Sequence, residues 1–303
     1  MEIALAVVSA FFFALGTVLQ QRGAVAEPSG ASARGVARLL ARLARRPVWI
    51  GGILADGVGF ACQAVALGIG RLVVVQPILA TSVVFSLPLG ARLTHQRVRR
   101  RDVLGAAAAT SGLAIFLVVG DPTAGRDDAP FGDWLLALVA IAALSAVLLA
   151  AGLRGSPGVK AALLGTASGL LFGLGAALTK ATVAQVDEGV LHVLGTWHLY
   201  GLLVVGYVGM TLSQMALQTG VLAPAMATFN IVDAVTSVVL GVTLFHEALR
   251  DDPLGITLDV AALAVMFAGL IVLAGAEGAG HGDVAAEGRA QPEPARSSFL
   301  GRR

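Results

Sequence analysis

Nine apolar stretches, near 3–21, 48–68, 72–93, 103–120, 133–152, 161–182, 198–217, 223–245 and 255–274, dominate the sequence. Each is about 20 residues long, enough to cross a hydrocarbon layer about 30 Å thick. Inside hydrocarbon the backbone must satisfy its own N–H and C=O groups, which a helix does. The chain is 56% hydrophobic and 13% charged over 303 residues, where an ordinary soluble domain carries about 25% charge. The expected fold is therefore all-α, a polytopic membrane protein with nine transmembrane helices. The first stretch lacks a basic leading segment and is too long for a cleaved secretory signal, so it is expected to stay as a helix. The single cysteine, Cys62, falls inside the second stretch and permits no intramolecular disulfide.

The same four-helix unit is written twice. Ser9, Phe13, Leu15, Gly16 and Leu19 recur as Ser168, Phe172, Leu174, Gly175 and Leu178, at a constant offset of 159. ALGIGRL at 66–72 recurs as ALQTGVL at 216–222. Gly90, Leu93 and His95 recur as Gly241, Leu244 and His246, and Asp102, Val103, Gly112 and Leu113 as Asp259, Val260, Gly269 and Leu270. The odd count, four helices plus one linking helix, makes the two units inverted. Duplicated membrane units are typical of secondary transporters, which bind substrate where the repeats meet. The expected divisions are a first repeat over 1–120 with a basic segment at 34–46, an outer loop and linking helix over 121–152, a second repeat over 153–274, and a disordered cytoplasmic tail over 275–303.

Basic residues set the orientation, because short basic loops stay in the cytoplasm. With the N-terminus outside and the C-terminus inside, cytoplasmic segments hold sixteen Lys and Arg and outer loops hold three, Arg71, Arg126 and Arg250. In RGVARLLARLARR, at 34–46, Val36, Leu39, Leu40 and Leu43 share one helical face, with Arg38, Arg42, Arg45 and Arg46 largely on the other. Such a helix lies on an anionic leaflet. The bland reading is an orientation anchor; the sharper one is a gating element.

Charges inside a membrane usually face a cavity or a partner. Asp56 lies in span two, with Gly59 and Gln63 on its face; Asp233 lies near the middle of span eight, with Asn230 and Ser237. Each aspartate reads either as a cation, proton or substrate site, or as a packing residue bonded to a neighbouring helix. Lys180 near the outer end of span six either snorkels to the surface, pairs with Asp233, or binds an anionic group. Gln20 and Gln21 hold the matching place in span one, and Gln76 and Gln214 are further polar points. Asp259 is expected at headgroup level, and His95 and His246 at the interface. Pro77, Pro88 and Pro224 either free backbone carbonyls or simply kink their helices. There is no GxxxxGK, HExxH or GxSxG motif and no paired-cysteine metal site, so neither an enzyme nor a resident cofactor is expected, and the chain by itself is no nucleotide-driven pump.

The succession SAFFFALGTVLQQRG, GFACQAVALGIGRLVVVQP, LPLGARLTHQRV and LFHE resembles the drug/metabolite transporter superfamily, including its EamA-like permeases, over about 3–274. The 4+1+4 layout is similar to that of the NIPA-like magnesium transporters and related actinobacterial permeases. The resemblance implies a permease of a bacterial cytoplasmic membrane that moves a small solute or cation by alternating access. The chain departs from it at two places. The proton-coupling glutamate of the small multidrug exporters falls at Phe13, and the Gly-Glu pair of the NIPA-like group falls at Gly59-Phe60, with Asp56 one turn earlier. Under the magnesium reading Mg²⁺ is the substrate, and Asp56 and Asp233 are its metal ligands, helped by Asn230, Gln63 and carbonyls near Pro77. A non-transporting membrane scaffold is the third alternative. The expected partners are lipid and a small-molecule or cation substrate, with no nucleic acid. The state is monomer or homodimer.

Overall fold

The computed structural model describes residues 1–25, 45–93, 98–219, 221–250 and 252–290. Most of the basic 34–46 segment, His95 and the end of the tail lie outside these residues. The described chain forms α1 (Glu2–Val25), α2 (Pro47–Ile69), α3 (Leu72–Ala80), α4 (Ser82–Leu93), α5 (Arg100–Val119), α6 (Phe131–Gly152), α7 (Pro157–Ala184), α8 (Val190–Gly195), α9 (Trp197–Leu217), α10 (Leu222–Thr243) and α11 (Pro253–Ala290). Among the described residues nine helical spans are long and apolar enough to cross a membrane, α3 and α4 together forming the third. Their limits fall within a few residues of the sequence-based ones at most ends, because hydropathy alone sets span edges. The last helix runs past the sequence-based limit to Ala290.

Span three breaks at Thr81, not at a proline. Pro77 and Pro88 both lie within helices, and Pro224 sits in the first turn of α10, where its missing N–H costs nothing. At Thr81 the hydroxyl donates to the Ile78 carbonyl at 2.6 Å, and the Thr81 N–H bonds the same oxygen at 3.0 Å. A threonine that competes for a backbone carbonyl tightens and bends its helix.

Two spans form the centre. In span three 67% and in span six 72% of the most apolar window is buried, against 17–33% in the other seven. α7 owes its position to small residues. Gly165, Gly169 and Gly173 make a stripe at four-residue spacing, and a side chain at any of them would strike α10: Ala225 and Thr228 at the first, Val232 and Asp233 at the second, Thr236 at the third. Small residues let membrane helices touch at the backbone. The equivalent positions of α1, offset by 159, are Ala6, Ala10 and Ala14, and all three are buried as α1 packs on α3 and α4.

The two halves repeat their contacts in detail. The Ser9 hydroxyl donates to the Gly59 carbonyl at 2.7 Å, and Ser168 donates to Gly209 at 2.9 Å. Phe13 covers Gly59 as Phe172 covers Gly209. Where α5 crosses α11, Gly112 lies on the backbone of Ala262 and Met266, and Gly269 lies on Gly105 and Ala109. The offset of 157 that turns Gly112 into Gly269 also turns Gly105 into Ala262 and Ala109 into Met266. The crossing is therefore self-complementary, as at a two-fold axis.

α6 stands outside this pattern. Its first turn carries Trp134, which is fully buried against Trp197, His198 and Phe245. The Trp134 indole N–H donates to Asp128 at 2.9 Å. Most of the helix beyond that anchor is exposed, and it packs on α7 alone to any extent.

Candidate functional site

A cavity of about 420 Å³ lies among α1, α2, α3, α4, α7, α9 and α10, within the range of roughly 300–1,000 Å³ typical of small-molecule sites. The packing on the glycine stripe delivers its main polar group. The Asp233 backbone rests against Gly169 and Gly173 of α7; the residue lines the cavity, and its Oδ1 is shut off from solvent without a hydrogen-bond partner. One turn earlier Asn230 lines the same wall and donates to the Met226 carbonyl of its own helix at 3.0 Å. Across from them α3 contributes Gln76, whose buried Nε2 has no partner either. Gln63 of α2 completes the amide set. Phe13, Phe60, Phe172 and Phe229 supply apolar wall, the last two edge-to-face at 5.1 Å.

Much of the lining comes in pairs that the sequence repeat relates. Phe13 and Phe172, and Thr17 and Ala176, differ by 159; Gln76 and Met226, Leu79 and Phe229, Ala80 and Asn230, Val83 and Asp233 differ by 150. The cavity thus sits where the halves face each other, but its chemistry is unequal. One wall carries Asn230 and Asp233 where the other carries Ala80 and Val83.

Of the residues singled out by sequence, the structure brings Gln63, Asn230 and Asp233 together, with Gln76. It does not bring in Asp56. That carboxylate lies against Gly16 and accepts a hydrogen bond from the Gln20 amide, and neither Asp56 nor Gln20 lines the cavity. A side chain at Gly16 would collide with it, so Gly16, Gln20 and Asp56 form one packed contact between α1 and α2. Ser237 is wholly buried and away from the cavity lining. Gln214 is on the exposed face of α9. Asp259, expected at headgroup level, is 5% exposed, and neither of its oxygens has a partner. Among the described residues no three His, Cys, Asp or Glu side chains cluster as a metal site would require.

Lys180 neither snorkels nor meets Asp233. It pairs with Glu247 at 2.5 Å, their side chains 6% and 0% exposed, and also donates to the Gly70 carbonyl at 2.9 Å. Glu247 accepts from the Leu72 and Val73 N–H groups, each at 2.8 Å, so it caps α3 with charge favoured at a helix start. Sequence reasoning passed over Glu247 because it stands at a span end. The turn that aims it inward puts His246 in the left-handed region at φ 54° and closes with Glu247 N–H on the Gly241 carbonyl at 2.9 Å. Arg71 beside it bonds the Glu2 carboxylate and the Pro122 carbonyl. Charged groups therefore stitch helix ends together on the bundle face that carries the N-terminus. Thr179 and Gln76, one residue and four residues from this stitch, already line the cavity.

An uncharacterized protein of Corynebacterium glutamicum is 32% identical to the chain over 247 residues, covering 81% of this chain and 84% of that protein. The chain belongs to its family. No family model matches the chain, and no solved structure matches it.

Proposed function

We propose that this protein is a secondary transporter of the drug/metabolite kind, which moves a small solute across the bacterial cytoplasmic membrane by alternating access of two inverted four-helix repeats. The observation that carries the reading is the cavity walled by repeat-equivalent residues of both halves, with one carboxylate residue, Asp233, and the amides Gln63, Gln76 and Asn230 in its lining. The duplicated Ser–Gly bonds and the self-complementary α5–α11 crossing support the inverted duplication. In the orientation that the basic loops favour, N-terminus outside, the Lys180–Glu247 stitch lies toward the outer face.

A phenylalanine-rich wall with one carboxylate supports an organic solute over a bare divalent cation. Mg²⁺ demands several oxygen ligands in near-octahedral array, and Asp56 stands off the cavity. The test needs no substrate. In a Cys62→Ser background, Thr179→Cys is exposed to a membrane-impermeant maleimide in right-side-out and in inside-out vesicles. A transporter labels from both sides. A scaffold labels from one side or neither, which would overturn the reading.

A further inference from the structure

We propose that the cavity selects a protonated primary or secondary amine carried on an apolar body, held by N–H donation to Asp233. This rests on the cavity being the transport site. The argument starts from charge. Of the side chains that line the cavity, Asp233 alone is ionisable, and no Lys, Arg or His is among them. An anionic solute would meet a carboxylate and no cation to offset it. A neutral solute would bring no charge to compensate the carboxylate, which would then have to take up a proton.

Hydrogen-bond capacity narrows the class further. Asp233 Oδ1 is a buried acceptor with no donor, and it lies in a wall whose neighbouring amide, Asn230, spends a donor on its own helix. A carboxylate in that state gains most from a charged N–H group, since hydrogen bonds to charged groups are the stronger ones. A quaternary ammonium has the charge but no N–H, and so offers the carboxylate no hydrogen bond. An aromatic box would favour the quaternary ion. Here, however, Phe172 and Phe229 are turned edge-to-face on each other. Gln63 and Gln76 also line the cavity, so a hydroxyl or carbonyl on the same solute has amides nearby. A zwitterionic amino acid gains less, because its carboxylate finds only amides.

The test uses the purified full chain in detergent and a matched series: phenethylamine, its N,N,N-trimethyl derivative, phenethyl alcohol, phenylalanine and MgCl₂. Apparent Kd is read from the dependence of the melting temperature on ligand concentration. Phenethylamine is expected to stabilise the protein, with the trimethyl and alcohol analogues at least tenfold weaker and Asp233→Asn at least tenfold weaker for the amine. Asp56→Asn, at a carboxylate outside the cavity lining, retains amine binding. Equal or tighter binding of the trimethyl analogue, unchanged amine binding in a folded Asp233→Asn protein, or no stabilisation by the amine each overturns the proposal. If Asp233→Asn fails to fold, the analogue series on the unaltered protein decides. Amine binding without counterflow of labelled phenethylamine in proteoliposomes would leave this inference standing and sink transport. Counterflow of another solute without amine binding would do the reverse.

Discussion

Lys180 and Glu247 meet at 2.5 Å in the interior, at the end of one span and just past the end of another. The pair also holds the start of a third span, since Glu247 accepts the Leu72 and Val73 N–H groups and Lys180 bonds the Gly70 carbonyl. Removing one partner strands the other, and a stranded buried charge costs about 3–5 kcal/mol. Lys180→Met is therefore expected to lower thermal stability sharply, and Lys180→Met with Glu247→Gln to lower it by clearly less than the sum of the single changes. A double-mutant cycle on detergent-solubilised protein measures this. Additive losses would show that the pair is not coupled.

The two aspartates separate by environment. Asp56→Asn keeps a side chain that can still bond Gln20, outside the cavity lining. It is expected to leave amine binding within about threefold, a change under about 0.7 kcal/mol. If Asp56→Asn instead removes binding while Asp233→Asn keeps it, the cavity is not the site.

The paired serines should behave alike. Ser9→Ala and Ser168→Ala each remove one buried hydroxyl-to-carbonyl bond between spans. Such bonds in membranes average about 0.6 kcal/mol. Near-equal losses of that size, adding in the double variant, are expected in unfolding titrations. A large loss in one and none in the other would break the equivalence of the halves.

Glycines sort by what surrounds them. Gly57 has open space, and Gly57→Ala is expected to be neutral or to stabilise by up to about 1 kcal/mol through helix propensity. Gly112→Ala puts a methyl 2.5 Å from the Met266 nitrogen and 2.6 Å from the Ala262 oxygen, and should cost about 1–3 kcal/mol as overpacking does. Melting of the two variants side by side checks both.

Orientation is open to a reporter. A fluorescent protein fused after Arg303 should light up and an alkaline phosphatase fusion there should be silent, as a cytoplasmic C-terminus requires. The opposite result reverses the face to which the Lys180 stitch belongs.

The nine spans were readable because hydropathy is a local property, and the duplication because offsets survive in small residues such as Gly16 and Gly175. Asp233, Asn230 and Gln63 were readable as polar groups on apolar helices. What the sequence could not supply was partnership. Gln20 and Asp56 were both noticed, but that they bond each other depends on how closely α1 approaches α2 at Gly16. Glu247 drew no reading of its own, standing just past the end of a span. Its burial comes from the folding of α3, 175 residues away in sequence, over its carboxylate. Likewise, Asp259 reads as shallow from its place in span nine, yet it is buried where the chain passes over it near Gly120.

The crossing of α5 and α11 has a genetic corollary. At Gly112 and at Gly269 the atoms nearest an added methyl are main-chain atoms of the opposite helix. No exchange of a neighbouring side chain can make room there. Second-site suppressors of a Gly112 or Gly269 lesion should therefore be scarce around the crossing itself, and revertants should restore glycine.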